Sequence, residues 1–164
     1  MIRYRQLYES ENSDIKRYSV VRCAGYEWFV IGIDGDIVTL LAKDADFEIA
    51  MSNKRLIDYK TCEVRDYLVS DILPKLGSVN PIPVRLDDVG CVDKVWLLSI
   101  DDAKKLPKKV RRFNRWWWLR SLNHNSNFPA IVAPGGDICT YDDMCLTVNA
   151  AVRPAMRVRI EDLD

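Results

Sequence analysis

The chain has 164 residues, with 24 basic and 24 acidic side chains and 48% apolar residues, as expected of one ordinary soluble domain. A chain of this length buries roughly 70% of its unfolded surface, enough for a core without disulfides or a structural metal. No apolar run is long enough for a helical membrane span. The opening Met1-Ile2-Arg3-Tyr4-Arg5-Gln6 also lacks the apolar stretch of a secretory signal.

Residues 1–17 are polar and charged with little period and read as an N-terminal arm ahead of a domain over 18–164. Tyr18 to Cys23 turns β-like, and Tyr26 to Ile33 is nearly continuous apolar and aromatic, as in a strand covered on both faces. Asp34-Gly35 then offers the positive-φ positions of a tight hairpin, with Ile37 to Ala42 as the returning strand. Thr61 is placed to cap a helix from Cys62 toward Leu73, in which Val64, Leu68, Ile72 and Leu76 form one stripe and Pro74 ends the regular turns. Asn80 to Asp93, with Pro81 and Pro83, reads as an irregular connection, and Val95 to Leu98 as a short buried strand. Ser99 and Asp102 make a capping box for a brief helix bounded by Pro107. Short strands follow at Trp116 to Arg120, Ala130 to Ala133 and, after the Pro134-Gly135-Gly136-Asp137 turn, Ile138 to Tyr141. In the last strand Val152, Pro154, Met156, Val158 and Ile160 alternate with Arg153, Arg157 and Arg159, which predicts one buried and one wet face. The predicted class is α+β: a single domain of twisted antiparallel sheets of short strands, with one main and one short helix.

The five cysteines, Cys23, Cys62, Cys91, Cys139 and Cys145, are odd in number and widely spaced. Without an export signal they read as free, buried thiols in a reducing cytoplasm. No close pair suggests zinc, and the one histidine, His124, gives little to a metal site or a histidine-based hydrolase; no metal or cofactor is expected. Charge is unevenly spread. Between Ala103 and Gly136 stand Lys104, Lys105, Lys108, Lys109, Arg111, Arg112, Arg115 and Arg120 with no acid, so the remainder of the chain is net acidic. Such a block suits a solvated loop, and equally a surface that attracts phosphate or an acidic protein.

Trp117-Trp118-Leu119-Arg120-Ser121, followed about thirty residues later by Ala151-Val152-Arg153-Pro154-Ala155, resembles uncharacterised bacterial and phage-borne domains that end in a W-W-L-R-S … G-V-R-P-A-L pattern. Tyr26-Glu27-Trp28, Ile33-Asp34-Gly35-Asp36, Leu40 to Lys43, Ile72 to Leu76 and Asp93 to Ser99 extend the likeness over roughly residues 20–160. These domains are similar to the C-type-lectin-like fold, in the branch shared with formylglycine-generating enzymes and with the variable receptor-binding proteins of diversity-generating retroelements. The resemblance implies that the first and last strands pair and that a C-terminal set of short strands presents a ligand face. It implies structural roles for Trp117, Arg120 and Arg153, the arginines tying loops and strand ends. Ala151 stands where the family has glycine, so a positive-φ turn there would have to differ.

The same resemblance points to Asn123, His124, Asn125, Asn127 and Phe128, beside Tyr141, Asp142 and Asp143, as a partner-binding surface. Adaptable polar groups around an aromatic anchor suit such a surface; a polar loop with turn-forming asparagines is the alternative. Cys139 and Cys145 lie where an oxidase would need a reactive pair, but the neighbouring Asp142 and Asp143 disfavour a thiolate. Asp137, Asp142 and Asp143 lack the fixed spacing of a calcium loop. The functional expectation is a non-enzymatic cytoplasmic domain of a bacterial host cell that binds a protein, with an accessory or counter-defence role as an extension. The competing expectation is a nucleic-acid-binding accessory that uses the basic, aromatic segment 104–120.

Overall fold

The computed structural model describes residues 15–43, 59–122, 129–140 and 150–164. They form an α+β domain in which sheets predominate and helices are short. The main sheet has five strands: β1 (Val20–Cys23), β2 (Tyr26–Asp34), β3 (Ile37–Ala42), β6 (Val95–Trp96) and β10 (Ala155–Arg159), in the order β1-β2-β3-β10-β6. β4 (Val84–Leu86) and β5 (Cys91–Asp93) form a hairpin, and β7 (Trp117–Leu122), β8 (Pro129–Val132) and β9 (Ile138–Cys139) form a three-stranded sheet.

β1 turns into β2 through Ala24 and Gly25, both left-handed with φ of 54° and 81°. The β2–β3 hairpin is present as expected, though the turn falls one residue later. Asp34 still pairs with Ile37, and Gly35 takes the positive φ. Between Val30 and Gly32 the register slips, so Ile31 is the extra residue of a bulge. The implied direct pairing of first and last strands is not the arrangement found. Among the described strands β1 pairs with β2, while β10 pairs with β3 and β6. Both ends of the described chain still meet, because the Asp164 N–H donates to the Arg22 carbonyl and the Asp164 carboxylate accepts from the Gly25 N–H.

The main helix begins at Cys62, whose sulfur accepts from the Arg65 N–H, one residue past the predicted cap. It runs as α1 (Glu63–Tyr67), a π-helical turn over Leu68–Ile72, and α2 (Leu73–Lys75). Pro74 does not stop the helix before this last turn. The Leu73 N–H reaches back five residues to Leu68, and this wider turn gives the proline ring room beside the carbonyl it would otherwise strike. Val64, Leu68, Ile72 and Leu76 are all buried, so the predicted stripe enters the core intact.

Asn80 to Asp93 is a correction: it holds the β4–β5 hairpin rather than an irregular link. Gly90, at φ 70°, closes its turn by donating to the Leu86 carbonyl. Three-residue strands are too short to show a period, which is why the prolines dominated the sequence reading. Arg65 meets Asp93 through its Nε and Nη2, with a closest approach of 2.8 Å, and donates to the Lys60 carbonyl. That pins the hairpin to the helix. The capping box is formed as expected, with Ser99 and Asp102 exchanging hydrogen bonds at the start of α3 (Ile100–Lys104).

Candidate functional site

The motif residues act as fasteners of the core. Trp117 is wholly buried, and its indole N–H donates to the Arg111 carbonyl; Trp118 is buried too and donates to Ala150. Arg120 is 7% exposed at its side chain. It grips both oxygens of Asp88, donates to the Leu97 carbonyl at 2.7 Å, and reaches Asp102 at 3.2 Å. Burial works against its charge, but the hydrogen bonds to Asp88 and the fields of Asp102 and Asp88 outweigh that and raise its pKa.

Arg153 overturns the expectation of a wet arginine face. It is fully buried, lies just before β10 begins, and donates to the carbonyls of Ala42 and Val110. Its guanidinium sits 4.6 Å from the Trp117 ring centre, 4.7 Å from Phe113 and 6.0 Å from Phe29, so aromatic faces and carbonyl dipoles stand where a carboxylate would usually be. Burial lowers its pKa to about 9, which leaves it charged at neutral pH. Wetness instead grows along the strand: the side chain of Arg157 is 33% exposed and that of Arg159 53%. Alternation governs only the paired residues of β10. Ala151, where the resembling family has glycine, is buried, takes no positive φ, and bridges to Trp117.

The predicted partner-binding residues Asn123, His124, Asn125, Asn127, Phe128, Tyr141, Asp142 and Asp143 lie outside the described residues, as does Cys145. Their flanks are described. Leu122 pairs with Pro129, and Ile131 with Cys139. The strand ends Leu122, Pro129 and Cys139-Thr140 therefore point to the same end of the three-stranded sheet.

The basic stretch is a correction as well. It contains a second helical turn, α4 (Lys108–Arg111), rooted by fully buried Val110. Its last carbonyls, from Val110 and Arg111, are taken by Arg153 and Trp117, so the orphan acceptors of a helix end are satisfied by the motif residues. Lys104, Lys105, Lys108, Lys109 and Arg112 are exposed, while Arg111 and Arg115 are half-buried. Lys108 pairs with Asp137 at 3.1 Å, both well exposed, so that contact is worth little. Arg120 leaves the patch altogether, and Trp117 and Trp118 are buried, so neither offers a face to a base. Gly136 approaches Lys108 closely, which sets α4 against the 134–137 turn. That is the opposite end of the small sheet from Leu122, which pairs with Pro129 while Trp117 pairs with Val132.

A groove of about 590 Å³ lies between the main sheet, the β4–β5 hairpin and α3. Its floor is a row across three strands, Gly32 opposite Thr39 and Thr39 opposite Arg157. Trp96, Leu86, Leu98, Leu106 and Ile31 contribute apolar walls. Among the described residues five cations line it (Arg17, Arg85, Lys105, Arg120, Arg157) against one carboxylate, Asp102. The hairpin wall is tethered to the floor by the Ile82 N–H, which donates to the Arg157 carbonyl at 2.8 Å. Tyr18 adopts φ 68°, uncommon for a non-glycine residue, and its N–H donates to Val30. That kink brings Arg17 and Tyr18 over β2. The Arg157 Nε, like the Arg111 Nε and the Arg153 Nη2, is buried without a hydrogen-bond partner, at a cost of about 1–3 kcal/mol. Sequence reading missed this groove because its lining comes from segments scattered between residues 17 and 157. The one signal was Gly32 inside an otherwise apolar strand, where a missing side chain marks a bulge or open space.

The thiols of Cys23, Cys62 and Cys91 are buried. Burial, followed by Asp164 and Asp162, pushes Cys23 up to about 12, so it is protonated at neutral pH. Among the described residues no helix is long and apolar enough to cross a membrane. No protein-family model, curated protein or solved structure matches the chain.

Proposed function

We propose that the chain is a non-enzymatic binding domain on a C-type-lectin-like frame, which recognises a protein partner through residues 123–128 and 141–143. The supporting observation is the register of the small sheet, Leu122 with Pro129 and Ile131 with Cys139, which gathers the flanks of both segments at one end of a frame held by Trp117, Arg120 and Arg153. A rigid frame carrying adaptable polar residues near an aromatic anchor lowers the ordering cost of binding. The frame reading is supported by a main sheet that holds both ends of the described chain and by short strands β7–β9 lying between β6 and β10 in sequence. The accessory or counter-defence role follows as occlusion of a host protein, which needs a complementary surface and no chemistry.

The test is capture of partners by the tagged full chain, with and without nuclease, beside a variant carrying Asn123→Ala, His124→Ala and Phe128→Ala and one carrying Lys108→Gln, Lys109→Gln and Arg112→Gln. One discrete protein, held through nuclease treatment and lost only with the first variant, is the expected result. Capture that disappears with nuclease, or that only the second variant abolishes, overturns the reading in favour of nucleic-acid binding.

A further inference from the structure

We propose that the groove beside Gly32, Thr39 and Arg157 binds a small organic phosphate, its dianionic head held by Arg157, Lys105 and Arg17 and its apolar body lying over Ile31, Leu86 and Leu106. This site is independent of the partner surface proposed above. The cations that line the groove differ in how far they are already committed. Arg120 is saturated by Asp88, Asp102 and the Leu97 carbonyl, whereas Arg85 has Asp87 at 3.0 Å in a pair exposed on both sides, which commits it only weakly. Among the described residues Arg157 has only Asp34 at 3.9 Å as an ion partner, a carboxylate 89% exposed, and its buried Nε has no acceptor. Lys105 and Arg17 form no ion pair among the described residues. Three such cations match an anion with two charges and three oxygens better than one carboxylate.

The single acid in the lining does not oppose this. Asp102 turns its Oδ2 to the Ser99 N–H and to Arg120, so its charge is already met. A volume of about 590 Å³ is that of a small-molecule site, and the apolar walls give an organic body a place that inorganic phosphate would leave wet. Gly32 supplies the room: a Cβ there would stand 3.4 Å from Thr39, so a larger side chain must project into the groove. The Ile82 N–H ties the hairpin wall to the floor at the Arg157 carbonyl, which lowers the cost of shaping the groove around a ligand.

Calorimetric titration of the full chain at low salt, with adenosine monophosphate, inorganic phosphate and adenosine as probes, tests the proposal. Adenosine monophosphate is expected to bind, inorganic phosphate to bind at least tenfold more weakly, and adenosine not to bind. Arg157→Gln and Gly32→Leu should each weaken adenosine monophosphate at least tenfold, and Arg157→Lys less than Arg157→Gln. A Lys108→Gln, Lys109→Gln control outside the groove should stay within twofold. Thermal unfolding of each variant separates lost binding from lost fold, and Gly32→Leu reports on the groove without altering charge. The proposal fails if adenosine monophosphate does not bind, if adenosine binds equally well, or if the control weakens binding as much as Arg157→Gln does.

Discussion

Arg120 and Arg153 are both buried and both belong to the W-L-R-S and V-R-P-A segments, yet the fold holds their charges in different ways. Arg120 meets two carboxylates that are themselves partly exposed, Asp88 at 43% and Asp102 at 38%, and so joins the small sheet to the β4–β5 turn and the capped helix. Arg153 meets no carboxylate among the described residues. It is wedged between aromatic rings and donates to two carbonyls, which join the end of β3 to the end of α4. One is an ion-pair fastener at the edge of water and the other a packing fastener inside the core. A planar guanidinium serves both because it can stack on its faces while donating from its rim.

The largest effect that separates them is truncation at the core. Arg153→Ala leaves two buried carbonyls without donors and a cavity among Phe29, Phe113 and Trp117, which together should cost about 4–6 kcal/mol, a large share of ordinary domain stability. Arg153→Met orphans the same two carbonyls but keeps most of the volume and removes the burden of a desolvated charge, so it should cost less, about 2–4 kcal/mol. Chemical denaturation measures both. Equal losses from the two variants would show that the charge, rather than the packed volume, is what this position requires.

Arg120→Ala should cost less, about 2–3 kcal/mol, because only the Leu97 carbonyl is left buried while Asp88 and Asp102 can take up water. Asp88→Asn, which keeps the shape and removes one charge of a half-exposed pair, should cost about 1 kcal/mol. If Arg120→Ala instead matches Arg153→Ala, the contrast between edge and core is wrong.

What the sequence showed and hid follows the same division between local and convergent signals. The β2–β3 hairpin, the Val64–Leu68–Ile72–Leu76 stripe and the Ser99–Asp102 box are written in residues a few positions apart, and each is found. Burial of Trp117 and tying roles for Arg120 and Arg153 were legible from the motif. The burial of Arg153 was not, since in a column of alternating arginines it looks like its neighbours; only Ala42, Val110 and three rings from distant segments bury it. The β4–β5 hairpin is too short for a period, and α4 was masked by its lysines. The groove was invisible for a stricter reason: no two adjacent segments of the chain contain enough of its cations to mark it.

Added salt gives the finest test of the comparison. Between about 0.05 and 0.5 M the Debye length falls from roughly 14 Å to roughly 4 Å, which screens the half-exposed Asp88 and Asp102 but cannot enter the sealed ring cage around Arg153. The stability lost in Arg120→Ala, measured against the parent chain at each salt concentration, should therefore shrink by about 0.5 kcal/mol across that range. The loss in Arg153→Ala should stay constant, because its carbonyl and ring contacts lie where mobile ions do not reach. Denaturant midpoints at the two salt concentrations read this directly. Parallel shifts in both variants would mean that Arg153 feels the solvent, and that its surroundings open more often than a packed core allows.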